Sequence, residues 1–202
     1  MRAKADGYTL LFNPSIHVIN PLLMEKPPYR TVEDFTEISL VARGPLVLVV
    51  TNGLEAKSVK DLIGLARRDP KSISFATSVI GSASHLAEEM FKRYANVDIL
   101  IVPYKGNAPA LTDLIGGQVS AMMDPAVTAL PMVRAGKLRA LAVTSKQRLD
   151  IAPDIPTVGR HFIAALKDNR LVALSEEDKV KKRFVRIDEL DLPEQTAVQG
   201  WL

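Results

Sequence analysis

The chain has 202 residues, of which 47% are hydrophobic, 24% charged and 5% aromatic, with a formal net charge of +3. This composition excludes wholesale disorder, collagen and a disulfide scaffold, and the length corresponds to one large domain or one and a half. With no cysteine, thiol catalysis, disulfides and cysteine-based zinc sites are excluded as well.

Sparse aromatics and interleaved charges argue against a base-stacking nucleic-acid platform and against a polybasic membrane patch. No apolar run approaches the roughly 18 residues that a membrane span needs. The opening Met1–Gly7 (MRAKADG) has two cations but no apolar stretch behind them, so it does not read as a signal peptide.

In chain order, Tyr8–Phe12 reads as a first strand, followed by a loop through Asn13, Pro14 and Ser15, and Pro27-Pro28 punctuates a connection. Pro45–Val50 (PLVLVV) is a continuous apolar run, the mark of a strand covered on both faces. Ser58 and Asp61 form a capping-box-like helix start, with Val59, Leu62, Ile63 and Ala66 on one face. Ile73–Ala76 is the next strand. The helix over 82–94 shows an apolar stripe of Leu86, Ala87, Met90, Phe91 and Tyr94, and Glu88, Glu89, Lys92 and Arg93 are expected outside it.

Asp98–Tyr104 is a strand. Pro109 suits a first helical turn, with Leu111, Leu114 and Ile115 following until Gly116-Gly117 ends the helix. Val119–Met123 is a strand, a helix over about 126–135 stops at Gly136, and Leu138–Thr144 is another buried-type strand. Strands alternating with helices between 45 and 145 predict βαβ units and a largely parallel three-layer α/β sheet. The tail 159–202 balances eight basic against eight acidic residues. There Phe184–Ile187 reads as a strand and Ser175 as a helix cap.

Ligands in open α/β sheets bind beyond the carboxyl ends of the strands, where helix N-termini converge. Three strand-to-helix turns are candidates: Thr77–His85, containing Ser78, Gly81 and Ser82; Tyr104–Asn107, containing Lys105 and Gly106; and Met123–Pro125, containing Asp124. The first two offer backbone N–H groups, hydroxyls and a cation to an anion, and a small carboxylate is the natural ligand. The plainer alternative is that Ser82 and Asn107 merely cap their helices. Asp124 would repel a carboxylate set directly on it. It is expected to cap the following helix, to pair with Lys105, or to receive a ligand's ammonium or hydroxyl.

His85 adjoins Ser84, and adjacent helical residues do not face each other, so the two form no catalytic pair. His17, His85 and His161 are scattered and no HExxH occurs, which argues against a metal site. No P-loop, GxGxxG or GxSxG appears. No cofactor and no catalytic residue is therefore expected.

Several short motifs then appear in order: Asp6–Leu11 (DGYTLL), Asn20-Pro21, Asp34-Phe35, Gly81-Ser82 with His85–Ala87, Val102–Gly106 (VPYKG), Ala108–Leu111 (APAL), Gly116–Val119 (GGQV), Ala135–Thr144 (AGKLRALAVT) and Pro153–Thr157 (PDIPT). Over residues 5–157 this set resembles the solute receptors of tripartite tricarboxylate transporters, the Bug or TctC-like family. The resemblance implies a type II periplasmic binding-protein fold with two α/β lobes, a partial first lobe at 1–49 and a second at 50–156, followed by a divergent tail at 157–202. It implies a periplasmic receptor that captures a small carboxylate, hands it to transporter membrane subunits, transforms nothing and binds no nucleic acid. On matching loops it places Ser15, Ser78, Gly81, Ser82, His85, Lys105, Gly106 and Asp124 as ligand-binding candidates.

The departures are Val79 and Asn107 where the family usually has glycine, and no match to the family's initial strand and glycine-rich turn or to its crossing strand after Thr157. Weak or absent ligand binding is the expectation for the chain as given. An α/β enzyme using Lys105 or His85 as acid/base, an interaction role and a non-functional product are the alternatives.

Overall fold

The computed structural model describes residues 3–159 and the backbone of Val172–Ala173 and Val185–Arg186. Among them, helix α1 (Ile16–Leu23) precedes a run of strand and helix: β1 (Leu46–Thr51), α2 (Val59–Arg68), β2 (Ser74–Thr77), α3 (Ala83–Ala95), β3 (Leu100–Pro103), α4 (Asn107–Ile115), β4 (Ala121–Pro125), α5 (Ala126–Arg134) and β5 (Leu138–Val143). The short strands β6 (Val172–Ala173) and β7 (Val185–Arg186) pair antiparallel. Of the tail expectations, β7 falls within the strand expected at 184–187, and Ser175 lies outside the described residues.

The five-stranded sheet has the order β3-β2-β4-β1-β5. β1 occupies an inner position with helices on both faces, so Val47, Leu48, Val49 and Val50 are all buried. Leu48 and Val50 face the layer of α2 and α3, together with Leu62, Phe75, Phe91 and Met123. Val47 and Val49 face α4 and α5, together with Leu114, Met122 and Leu130. Phe75 and Phe91 meet edge to face at 5.5 Å, which anchors α3 on β2. Capping is local and legible: Ser58 Oγ accepts the Asp61 N–H, and Asp61 Oδ2 accepts the Lys57 N–H.

The sheet is mixed rather than largely parallel. β2 runs parallel to β3 and β4, but β1 runs antiparallel to both β4 and β5. Alternation of strand and helix along a sequence does not encode strand direction, which is why this one reversal was invisible. Tyr8–Phe12 forms no strand: the segment has no ladder partner among the described residues, and Tyr8 and Phe12 are 93% and 81% exposed. A lone strand leaves its backbone groups unpaired and is not stable by itself. The loop through Asn13, Pro14 and Ser15 leads directly into α1, a helix the sequence reading did not assign.

β4 begins two residues later than expected and takes in Asp124 and Pro125, so Asp124 belongs to a strand and not to a turn. The helix α3 is rotated from its expected setting. Its buried face is Ser84, Glu88, Phe91 and Ala95, and Leu86, Met90 and Tyr94 are each more than a third exposed. Glu88, placed outside the stripe by its charge, is fully buried because it takes up a sheet N–H.

Candidate functional site

β2 hands the chain through α3 to β3 on one side, and β4 hands it through α5 toward β5 on the other. The strand order therefore reverses between β2 and β4, and in such sheets the crevice at the carboxyl ends of that pair receives ligands. The candidate turns meet there. Tyr104 N–H donates to Thr77 O and Gly106 N–H to Ser78 O, each at 2.9 Å, tying the turn after β3 to the turn after β2. Asn107 Nδ2 donates to Thr128 Oγ1 at 3.4 Å, and that hydroxyl donates to Asp124 Oδ2 at 2.7 Å, tying the turn after β3 to the end of β4.

Ser82 is the N-cap of α3. Its Oγ accepts the His85 N–H at 3.2 Å, and its carbonyl accepts the Leu86 N–H. The first-turn N–H groups of Ala83 and Ser84 are those for which neither cap nor helix supplies an acceptor. Gly106 is the N-cap of α4 at φ +127, a conformation that suits glycine alone, and no side chain caps that helix. Asn107 is thus the first residue of α4 rather than its cap. Pro109 has no N–H to satisfy, which leaves Asn107 and Ala108 as free donors. Lys105 is exposed, immediately ahead of the α4 N-cap, and has no ion pair among the described residues, so a pairing with Asp124, one of the three roles considered for that residue, does not form.

His85 has a structural task. Its Nδ1 accepts the Gly81 N–H at 3.2 Å, and its Nε2 lies 4.0 Å from Glu89 Oε1. An accepting Nδ1 places the neutral imidazole proton on Nε2 and removes Gly81 N–H from the donors open to a ligand. Gly81 itself sits at φ +81 against α1, and a Cβ there would lie 2.8 Å from Leu23 Cδ1 and 3.3 Å from Asn20 Oδ1. Ser15, at the other end of α1, is exposed and its side chain caps nothing. The geometry does not bring it to the cluster. Ser78 is half-buried and contributes its carbonyl to Gly106.

Asp124 is fully buried and its Oδ1 has no partner. Burial raises its pKa, against the Thr128 hydroxyl and the Asn107 amide, which hold it down. It does not cap α5, whose N-cap is Pro125. Sequence reasoning missed Thr77 and Glu88, both fully buried at the same rim. The signal for Glu88 was its spacing from Ser84, Phe91 and Ala95 on one helical stripe. Tyr104, by contrast, turns away to α4: its hydroxyl donates to Asp113 Oδ2 at 2.7 Å, and burial, then Asp113, pushes it up to about 12.

A pocket of about 320 Å³ opens beside this rim, lined in part by Thr77, Ile80, His85, Glu89 and Pro103. A larger one, about 540 Å³, lies at the opposite rim near Asn52, Lys57 and Arg139. The unpartnered buried polar atoms among the described residues, on Thr77, Glu88, Asn107 and Asp124, all belong to the first rim. That is where an unmet demand for a ligand or water sits, so the smaller pocket is the relevant one. The rim offers anion donors, and His85, one of the acid/base candidates, is committed to the Gly81 N–H.

Comparison with known proteins settles the lineage. Residues 1–186 match the family described as the tripartite tricarboxylate transporter family receptor. The chain belongs to that family. The match to this receptor family continues past Thr157, where the recognisable motifs end. Among curated members, BugT of Bordetella pertussis is 38% identical over 159 residues, 78% of this chain and 49% of BugT. A protein of a Pseudomonas species, encoded between tcbD and tcbE, is 36% identical over 157 residues, 78% of this chain and 47% of its own. The chain thus spans about half the length of the curated relatives it matches.

Among solved structures, R. palustris Rpa4515 with adipate superposes with a TM-score of 0.75 at 39% identity, covering 79% of this chain and 54% of that one. The periplasmic binding protein BugD gives 0.74 at 34%, covering 79% and 53%. MatC from Rhodopseudomonas palustris with bound malate gives 0.66 at 28%, covering 75% and 50%. The fold is that of these periplasmic binding proteins.

Proposed function

We propose that this chain supplies one wall of a receptor site for a small carboxylate, with a dicarboxylate such as adipate or malate as the first ligand to test. The observation that carries this reading is the set of four uncapped first-turn N–H groups, on Ala83, Ser84, Asn107 and Ala108, at one rim beside the unpaired Lys105. Helix N-termini carry partial positive charge, and charge-assisted hydrogen bonds to an anion contribute about 1.5–3 kcal/mol each. Residues 50–156 form this wall as the second lobe and residues 1–49 part of the first. Opposing donors from the rest of a first lobe complete the clamp in the whole receptor, which serves transporter membrane subunits from the periplasm.

One wall must still offset the lost freedom of the ligand, about 4 kcal/mol or more. The affinity of this chain alone is therefore in the millimolar range, near 4 kcal/mol of net binding. Amide NMR shifts during an adipate titration test the reading. Ala83, Ser84, Asn107 and Ala108 should move together and saturate, and chloride at equal ionic strength should leave them in place. In Lys105→Ala the same titration should weaken about three- to tenfold and lose salt sensitivity. Shifts scattered over the surface, or an unchanged Lys105→Ala titration, would refute the assignment.

A further inference from the structure

The sheet is left open at the rim where the ligand site lies. β2 and β4 pair at Phe75–Ala121 and Ala76–Met122, and the pairing stops there. At the next position Met123 N–H donates to Glu88 Oε1 at 3.1 Å, so a side chain from α3 replaces the missing rung. Glu88 is fully buried, and its Oε2 has no partner. Thr77, across the opening on β2, is also fully buried, and its Oγ1 has no partner either. The Thr77 hydroxyl lies close enough to bear on the carboxyl without forming a hydrogen bond in the geometry observed.

Both orphaned atoms can be met in either state of the carboxyl: an ionised Oε2 would accept the Thr77 hydroxyl, a protonated Oε2–H would donate to Thr77 Oγ1, and Oε1 accepts from Met123 in both. The ionised form, however, would sit fully buried with no counter-charge. The charge environment agrees. Burial pushes the Glu88 carboxyl up to about 8, Met123 N–H and the Thr77 hydroxyl oppose this, and Glu89 pushes further upward. Among the described residues no cationic side chain bears on it; His85, on the same helix, is turned to Gly81 and Glu89.

We propose that Glu88 is a protonated strut and a positioning residue of the carboxylate site: through Met123 N–H and Thr77 Oγ1 it holds the carboxyl ends of β2 and β4 in place without setting a negative charge beneath the anion-binding rim. The functional half of this inference rests on the carboxylate reading above, and the proton itself does not. Ionising Glu88 adds a buried like charge under the first turns of α3, which weakens carboxylate binding on the order of tenfold.

The test is a carboxyl NMR titration of the full chain carrying ¹³C-labelled glutamate, with the Met123 amide as second reporter. The Glu88 carboxyl and the Met123 amide should titrate together near pH 8. Glu88→Gln, which keeps an acceptor for Met123 and a donor for Thr77, should remove that transition. Adipate affinity in the native chain should fall about tenfold between about pH 6.5 and about pH 9, and in Glu88→Gln it should stay level. A Glu88 carboxyl that titrates with the surface carboxylates overturns the proposal even if the variant does not fold. So does a pH profile of adipate binding that Glu88→Gln leaves unchanged. If adipate moves no amide at either pH, the carboxylate reading fails, and the carboxyl titration still decides whether the proton is there.

Discussion

Three residues set the shape of the rim, and each does so by a different means. Gly106 supplies a backbone conformation, Gly81 supplies conformation and empty space, and Ser82 supplies an acceptor. At Gly81 the two demands add. A methyl group there meets Leu23 Cδ1 at 2.8 Å while φ stays at +81. Gly81→Ala should therefore destabilise the chain by about 1–3 kcal/mol in urea unfolding. Leu23→Ala in the same background should recover the part due to the clash and leave the part due to φ. Gly106 faces open space, so Gly106→Ala should cost about 1 kcal/mol from its φ of +127 alone. Equal losses at the two glycines would show that the exposed Leu23 side chain swings aside and leaves φ as the whole cost.

At the scale of elements, Ser82→Ala removes the acceptor for His85 N–H and should cost about 1 kcal/mol by thermal or urea unfolding. An unchanged midpoint would mean that water or another side chain replaces the cap. The caps were readable because they are local: Ser58 and Asp61 announce α2 within four residues, and Ser82 announces α3. The five strands of the sheet were readable to within two residues for the same reason, since Leu46–Thr51 and Leu138–Val143 carry their burial in their own side chains.

What was not readable depends on distant partners. The direction of β1 is decided by ladders to β4 and β5, more than 70 residues away. The rotation of α3 is decided by one backbone N–H on β4, which draws Glu88 inward and leaves Leu86 and Met90 partly exposed. Binary patterning assigns a glutamate to water, and it has no means of seeing an unpaired rung of a sheet. The candidate loops themselves were legible, because glycine and cap residues mark the starts of helices. Their gathering at one rim was expected from the α/β pattern, but the Tyr104–Thr77, Gly106–Ser78 and Asn107–Thr128 hydrogen bonds that tie them together were not legible, because they join residues distant in sequence.

For the whole molecule, the buried acids make stability depend on pH with a definite sign. Glu88 is raised from 4.5 to about 8, and Asp124 is raised from 3.8, both chiefly by burial. A group held above its unfolded value binds the proton more tightly in the native state. Its contribution is complete below the unfolded value and is lost as pH rises through the folded one. Asp61 works in the opposite direction: the Ser58 hydroxyl and the Lys57 and Ser58 backbone hold it down, so its contribution is lost on acidification. Stability should therefore peak near the acid side of pH 5, decline toward pH 8 and level off above it until the raised Tyr104 hydroxyl brings a second decline from about pH 10.

Each pKa unit corresponds to roughly 1.4 kcal/mol, so the Glu88 part is on the order of a few kcal/mol across that window. Urea unfolding of the native chain at a series of pH values measures the decline directly. Glu88→Gln should match the native chain at pH 5, exceed it at pH 8 and flatten most of the slope. Parallel profiles for the two proteins would place the pH dependence on Asp124 or on exposed groups instead. A native profile that rises from pH 5 to pH 8 would mean that the buried carboxyl keeps its charge and that the sheet rim meets the cost in another way.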